Sequence, residues 1–305
     1  MIQDTLEIFG KPLKLKQYYC AWNGQEPEEV PKPYINLYVR TKFCNARCGF
    51  CIYHSDANKW NNDRWEEVLQ ELSSKIDVGK LSITGGEPTL YWDKFKQITD
   101  TAEKYLDYKK TDYQVTTDGF RWEQLWNDPI HEKMFYIQLS RHHYDDEKNN
   151  EIFGCKTPTT DEIKSIIDKQ THPHQFQLRC NLIQGYLDNT DEVFKYLDWA
   201  NNIGINDIGL VSLMPVNGYS KDNFVYFHIK DLIGDNFHFA RKQEKVGGGC
   251  ECFNYVYLPE NNFRQPIRVY HKNTFKPSVD ANSITEVLSF DGYNLRVGYD
   301  GEILF

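Results

Sequence analysis

The reading of this chain turns on Phe43-Cys-Asn-Ala-Arg-Cys-Gly-Phe-Cys-Ile-Tyr53, which follows a run of strand character, Tyr34 to Arg40 (YINLYVR). The segment puts Cys44, Cys48 and Cys51 on one loop. Three thiols in a C-x3-C-x2-C pattern face one centre when the backbone curls around it, and soft thiolates select zinc, copper(I) or an iron–sulfur cluster. A structural zinc site takes four ligands, commonly as two separated pairs, and no C-x2-C partner lies elsewhere in the chain. Three ligands without an obvious fourth favour a cluster with one open metal position.

Outward from this loop, apolar runs rich in β-branched and aromatic residues alternate with amphipathic stretches, the pattern of βα units on a parallel sheet. Strands are predicted at Tyr34–Arg40, Leu81–Thr84, Tyr113–Thr117, Lys133–Ser140, Gln175–Ile183 and Ile208–Met214. Between them, helical spacing relates Trp65, Val68, Leu69 and Leu72 within Asp63–Ile76, and Phe95, Ile98, Ala102 and Tyr105 in the next unit. A short helix is expected around Arg121–Trp126, one with Ile163, Ile166 and Ile167 behind a capping Thr160, and one at Glu192–Asn201. Six such units predict an α/β fold, a partial (β/α)6 barrel rather than an eight-fold one, which takes about 250 residues of regular repeat.

After about Gly218 the pattern changes to a helix near Ile229–Gln243, a Gly247-Gly248-Gly249 hinge, and short strands at Tyr255–Leu258, Ile267–Tyr270 and Leu295–Tyr299. The expected organisation is an N-terminal extension over residues 1–33, the barrel over 34–218, and a C-terminal α+β extension over 219–305 that covers the barrel mouth. Ligands in such sheets gather at the carboxyl ends of the strands.

The 305 residues are 40% hydrophobic and 26% charged, a globular composition, and no apolar run approaches the roughly 18 residues a spanning helix needs. Met1-Ile-Gln-Asp-Thr-Leu-Glu has no signal-peptide character, so a cytoplasmic chain is expected, in which eight cysteines stay free, catalytic or metal-bound. A net charge of −9 argues against an extended nucleic-acid surface but leaves room for a pocket that takes one nucleotide.

C-x3-C-x2-C after the first strand resembles the signature of the radical S-adenosylmethionine (SAM) superfamily, and Thr84-Gly85-Gly86-Glu87-Pro88 after the second resembles its GGEP segment. The resemblance implies that Cys44, Cys48 and Cys51 hold three irons of a 4Fe-4S cluster whose fourth iron takes the amino and carboxylate groups of SAM. It also implies that Phe50 packs on the adenine and that Gly85, Gly86 and Glu87 bind the methionyl amine. Thr116-Thr117-Asp118-Gly119 resembles the family's T-T-N-G segment, and is equally readable as a plain Asp-Gly turn. Ser140, Arg179 and Asn181 fall where family members contact the ribose and carboxylate of SAM, with Asn181 also readable as a satisfied core amide; Ile183 lies in a segment like the adenine-contacting one.

By the same resemblance, the reduced cluster passes an electron from a donor such as flavodoxin or ferredoxin to SAM, and the 5′-deoxyadenosyl radical abstracts hydrogen from a small-molecule or nucleotide-like substrate. The layout is most similar to the branch of the molybdenum cofactor cyclase. Tyr293–Phe305 keeps its strand–turn–strand outline, with Arg296, Asp300 and Gly301, but lacks its flanking cluster cysteines, so the cyclase substrate is not carried over. A radical SAM peptide-modifying enzyme and a non-catalytic iron–sulfur electron carrier or sensor are the alternatives. The charged run Ser140–Glu147 is expected to overhang the mouth, where His142 or His143 could bind substrate or move a proton. Cys250 and Cys252, with Cys20, are read as inert thiols, a hydrogen donor or ligands of a second cluster.

Overall fold

The protein was analysed as a computed structural model that describes residues 5–8, 11–14, 16–18, 21–22, 29–31, 34–41, 43–51, 65–170, 175–213, 217–225, 237–244, 251–257, 266–273, 294–297 and 303–304. Six parallel strands follow one another in space as they do in the chain: β1 (Tyr34–Thr41), β2 (Asp77–Gly85), β3 (Asp112–Thr117), β4 (Met134–Ser140), β5 (Phe176–Leu182) and β6 (Asp207–Ser212). Helices α1 (Trp65–Ser73), α2 (Trp92–Tyr105), α3 (Trp122–Asn127), α4 (Asp146–Phe153), α5 (Thr160–Ile167) and α6 (Thr190–Asn202) fill the crossovers, and the five-residue α7 (Gly218–Asp222) follows β6.

Alternation along each strand sorts side chains to two faces. On β5, Leu178, Cys180 and Leu182 are fully buried in the core cluster that also holds Val193, Tyr196 and Leu197 of α6. Gln177, Arg179 and Asn181 occupy the opposite, inner face. The helices pack as their periodicity predicts: Trp65, Val68, Leu69 and Leu72 of α1 are buried, and the Trp65 indole donates to the Ile98 carbonyl of α2 at 3.1 Å. Each large apolar side chain buried this way contributes roughly 1.5–3 kcal/mol.

The chain beyond Gly218 joins the same sheet. Strands β7 (Phe237–Glu244), β8 (Glu251–Tyr257) and β9 (Ile267–Asn273) continue it past β6, with β9 parallel to β6, β8 antiparallel to β9 and β7 antiparallel to β8. At the other edge β10 (Asn294–Val297) lies parallel to β1 and pairs with β11 (Ile303–Leu304). Both edges of the parallel set therefore end on antiparallel partners, and the sheet stays open.

Four expectations are corrected. Phe237–Glu244 is a strand rather than the end of a helix from Ile229, because it pairs with Glu251–Tyr257 across a hairpin whose connection contains Gly247–Gly249; residues 226–236 and the glycines lie outside the described residues. The cap of α5 is Thr159, not Thr160: Thr159 and Glu162 form a reciprocal capping box, and a Thr160 cap would have put Ile163 where the glutamate is needed. Asp146–Phe153 is a helix, capped by Asp145 and stopped by Gly154 at φ 66°. Finally, the run after β4 does not overhang the mouth: Arg141, His142 and His143 are buried.

Candidate functional site

The cysteine loop leaves β1 and is held by hydrogen bonds to its backbone from three sides. The Gly86 amide donates to the Thr41 carbonyl and the Glu87 amide to the Phe43 carbonyl, both at 2.7 Å, so the glycine segment ending β2 is stitched along the loop. Gly85, at φ 115°, takes a conformation that side chains resist, which lets the chain turn back toward the cysteines. From the β4 side, the Arg47 amide donates to the Phe153 carbonyl at 2.7 Å. From the β6 side, the Asn217 side-chain Nδ2 donates to the Gly49 carbonyl at 3.1 Å, and the Tyr219 ring lies so close that a Cβ on Gly49 would meet it at 2.7 Å.

Cys44 is exposed, Cys51 half-buried and Cys48 buried, and none of the three is in a disulfide. Burial, with the charges of Asp118, Glu87 and Cys51 nearby, pushes the Cys44 thiol up to about 12; burial and the neighbouring Cys51 and Cys44 push Cys48 higher still. Cys44 and Cys48 therefore keep their protons until a metal displaces them.

Glu87 is only 2% exposed, and its carboxylate is taken up inside the protein. One oxygen accepts from the Thr89 amide (2.8 Å), the Thr89 hydroxyl (2.6 Å) and the Thr117 hydroxyl (2.7 Å); the other accepts from the Asp118 amide (2.7 Å). Glu87 thus clamps the end of β2 to the end of β3, and the Thr117 hydroxyl is committed to the same clamp. What this strand end offers to a ligand amine is backbone carbonyl. Burial, with Glu87 beside it, pushes Asp118 up to about 8, so it is mostly neutral at pH 7; its Oδ2 is buried without a hydrogen-bond partner, as is Oδ1 of Asn45 on the cysteine loop.

Across the mouth, Phe50 meets the His142 ring edge-on at 5.2 Å between centroids, and His142 stacks on Phe153 at 4.8 Å. Phe50 also packs against the cluster of Ile152, Ile183 and Leu213, so the loop touches the end of β5 where fully buried Ile183 lies. His142 Nδ1 accepts from the Asn181 amide at 3.0 Å, and burial with Arg141 alongside holds the ring down to about 3. His143 Nδ1 accepts from the Asp145 amide at 2.9 Å, and burial holds it down to about 4. Both rings are neutral and bonded to backbone, the geometry of turn-holding groups. Arg141 donates to the carbonyls of His143, Pro158 and Tyr144, pairs with Asp146, and lies 5.1 Å above the Trp199 ring.

Half-buried Ser140 and Arg179 are register partners on β4 and β5. The Arg179 side chain crosses Gly209 of β6, where no Cβ would fit, and its guanidinium sits 5.8 Å from the Tyr270 ring centroid on β9. Nearer the amino ends of the strands, a polar row crosses the inner face: Thr116 donates to Gln138 (2.9 Å), Gln138 to Gln177 (2.6 Å) and Gln177 to Asp207 (2.7 Å), which pairs with Arg268.

The structure thus gathers Cys44, Cys48, Cys51, Phe50, Gly85, Gly86, Glu87 and Thr117 at one end of the barrel. It places Asn181 and Ile183 across the mouth, with Ser140 and Arg179 on the inner face. Sequence reasoning missed Asn45 and Cys155. The Asn45 amide donates to Cys155 Sγ at 3.4 Å, and Cys155 packs in the same small cluster as Cys48, Cys51 and Phe153. A single cysteine more than a hundred positions along the chain carries no spacing signal. The polar row had a fainter one, glutamines at inward positions of apolar strands. Cys20 and Cys250 lie outside the described residues, and Cys252 is on β8.

The donor set fits an iron–sulfur cluster. Three soft thiols share one loop, and a buried carboxyl oxygen close to them, Oδ2 of Asp118, is left without a hydrogen-bond partner. Among the described residues no three His, Cys, Asp or Glu side chains close on a single metal ion; in a cluster each thiolate takes a different iron.

Comparison with known proteins agrees. Residues 38–171 match the model of the Radical SAM superfamily. A "Probable GTP 3',8-cyclase" of Saccharolobus islandicus is 30% identical over 182 residues, 58% of this chain and 56% of that protein, so the chain spans little more than half the length of this relative. The "GTP 3',8-cyclase" of Helicobacter pylori is 25% identical over 79% of this chain and 74% of its own. In fold, Streptococcus suis SuiB superposes with a TM-score of 0.50 at 19% identity, covering 67% of this chain and 45% of that one. With the cysteine loop, the glycine-ended second strand and the sequential parallel sheet in place, residues 38–171 form a region that matches the radical SAM superfamily, and the chain resembles proteins of the GTP 3',8-cyclase branch.

Proposed function

We propose that this chain holds a 4Fe-4S cluster on Cys44, Cys48 and Cys51 and cleaves SAM reductively to act on a small-molecule or nucleotide-like substrate. The observation that carries the reading is the pair of 2.7 Å backbone bonds from Gly86 and Glu87 to the cysteine loop, which set the two motifs side by side at the mouth. When bound, the cluster would take one electron from a carrier such as flavodoxin or ferredoxin and supply it to SAM, whose carbon–sulfur bond then breaks to methionine and a 5′-deoxyadenosyl radical.

The chain's own residues do the positioning. Backbone carbonyls at Gly85 and Gly86 would accept the methionyl ammonium, while Glu87, locked to Thr89, Thr117 and Asp118, keeps that strand end in place. Phe50 and Ile183, which belong to one packed apolar cluster, would take the adenine. Ser140, Arg179 and Asn181 line the inner face; with Tyr270 beside Arg179 they offer a cation, an aromatic ring and amide groups to the SAM carboxylate or to a nucleotide. The relatives called GTP 3',8-cyclase favour the nucleotide. On this reading residues 34–218 carry cluster and SAM and residues 219–305 complete the substrate side.

The test is to reconstitute the chain anaerobically with iron and sulfide, reduce it with SAM present, and measure 5′-deoxyadenosine. Formation of 5′-deoxyadenosine is expected; full cluster loading with no cleavage of SAM, even slowly, would overturn the reading.

A further inference from the structure

A fourth thiol stands beside the three proposed ligands, supplied by a different part of the barrel. Helix α4 ends at Gly154, whose left-handed φ of 66° turns the chain straight onto the cysteine loop: a Cβ at this glycine would come within 3.2 Å of the Arg47 Cβ. The Arg47 amide ties that loop to the Phe153 carbonyl at 2.7 Å, so Cys155 is delivered by backbone geometry rather than by a long side chain. Its sulfur accepts from the Asn45 side-chain amide at 3.4 Å, and Asn45 is the neighbour of Cys44. Cys155 also packs against the small cluster of Ala46, Cys48 and Phe153, as Cys51 and Phe50 do.

A second observation marks the same place. Oδ1 of Asn45 is buried without a partner, and so is Oδ2 of Asp118, a residue 6% exposed that, when ionised, acts on Cys44, Cys48 and Cys155 alike. Buried polar atoms left open around a set of thiols are the mark of a site whose polar occupant completes the bonding. The Asn45 amide already occupies a lone pair of Cys155, which leaves the S–H as what this residue can offer.

We infer that Cys155, steered by Asn45, donates a hydrogen bond to the Cys48 sulfur of the cluster and so sets its reduction potential, without being a ligand. The inference rests on the cluster assignment above. A hydrogen bond to a cluster sulfur favours the reduced, more negative state; hydrogen bonding to the sulfurs is one of the levers that set the potential of such clusters. Cys155 is a positioning residue in this scheme: it acts through Cys48.

The experiment uses the full chain, reconstituted anaerobically, as wild type, Cys155→Ala, Cys155→Ser and Asn45→Ala. Iron and sulfide are counted, and the midpoint potential is followed by electron paramagnetic resonance in a redox titration without SAM. All four proteins are expected to load four irons. The midpoint of Cys155→Ala moves to more negative potential, Cys155→Ser recovers part of the shift because its hydroxyl still donates, and Asn45→Ala shifts less than Cys155→Ala. A Cys155→Ala midpoint that superimposes on wild type overturns the proposal, and so does loss of iron in Cys155→Ala with retention in Cys155→Ser, which would make the position a ligand. If wild type itself loads no iron, the cluster assignment falls first and this inference with it.

Discussion

Two loops of this barrel look alike in sequence and behave in opposite ways. The loop after β1 and the run after β4 each carry a dense set of reactive side chains, three cysteines in one and an arginine with two histidines in the other. In the run after β4 the tertiary structure engages most of these groups: Arg141 is spent on three carbonyls and Asp146, and both histidine Nδ1 atoms accept backbone amides, with His143 Nε2 left without a hydrogen bond. In the loop after β1 most of the holding bonds run through backbone; Cys44 Sγ accepts from the Ala46 amide and Asn45 donates to Cys155, while Asn45 Oδ1 is buried without a partner. Residue type nominated both loops, but hydrogen-bond satisfaction separates them.

The largest effect expected on that contrast comes from the cysteines. Cys44→Ala, Cys48→Ala and Cys51→Ala should each abolish the intact cluster and 5′-deoxyadenosine formation while leaving the fold, followed by circular dichroism, unchanged. Substantial residual iron in the triple variant would reveal a second cluster elsewhere. Next is Arg141→Met, which strands three carbonyls and a carboxylate in a buried place and should cost about 3–5 kcal/mol in urea denaturation; a loss under about 1 kcal/mol would mean that solvent reaches those groups.

Glu87→Gln is smaller. It keeps the shape but sets an amide NH2 against donors, so a loss of about 1–3 kcal/mol is expected, together with weaker SAM binding by calorimetry, because the end of β2 is released from β3. The smallest effect is one of slope. His142 is neutral in the folded protein, with its pKa near 3, whereas the unfolded ring binds a proton below about 6.5; stability therefore falls as pH drops through that window, by up to about 1.4 kcal/mol per pH unit for one ring. His142→Phe should flatten the acid limb, leaving the part owed to His143; an unchanged slope would show that water reaches the imidazole.

Much of the fold was legible because its signals are local. Trp65, Val68, Leu69 and Leu72 recur at helical spacing and are buried together, and the six strands were each found within a few residues. What escaped depended on partners distant in the chain. Phe237–Glu244 reads as a helix until Glu251–Tyr257 is laid beside it, and Asp146–Phe153 is too polar to announce a helix until Asn149 is seen bonding the amides of His142 and His143. The Glu87 carboxylate, expected to face a ligand, is claimed by Thr117 and Asp118, which approach it only when β3 aligns with β2.

The sequence alone determined the chemistry on offer, because thiol spacing and a glycine-ended strand are properties of a short contiguous segment and survive any packing. Which side chains remained free to perform that chemistry was decided by tertiary structure. Satisfaction of a buried polar group is a pairwise matter between segments far apart in the chain, as Asn45 and Cys155 show across 110 positions. No local pattern encodes the partner; only the closing of the β4 side onto the first loop brings it there.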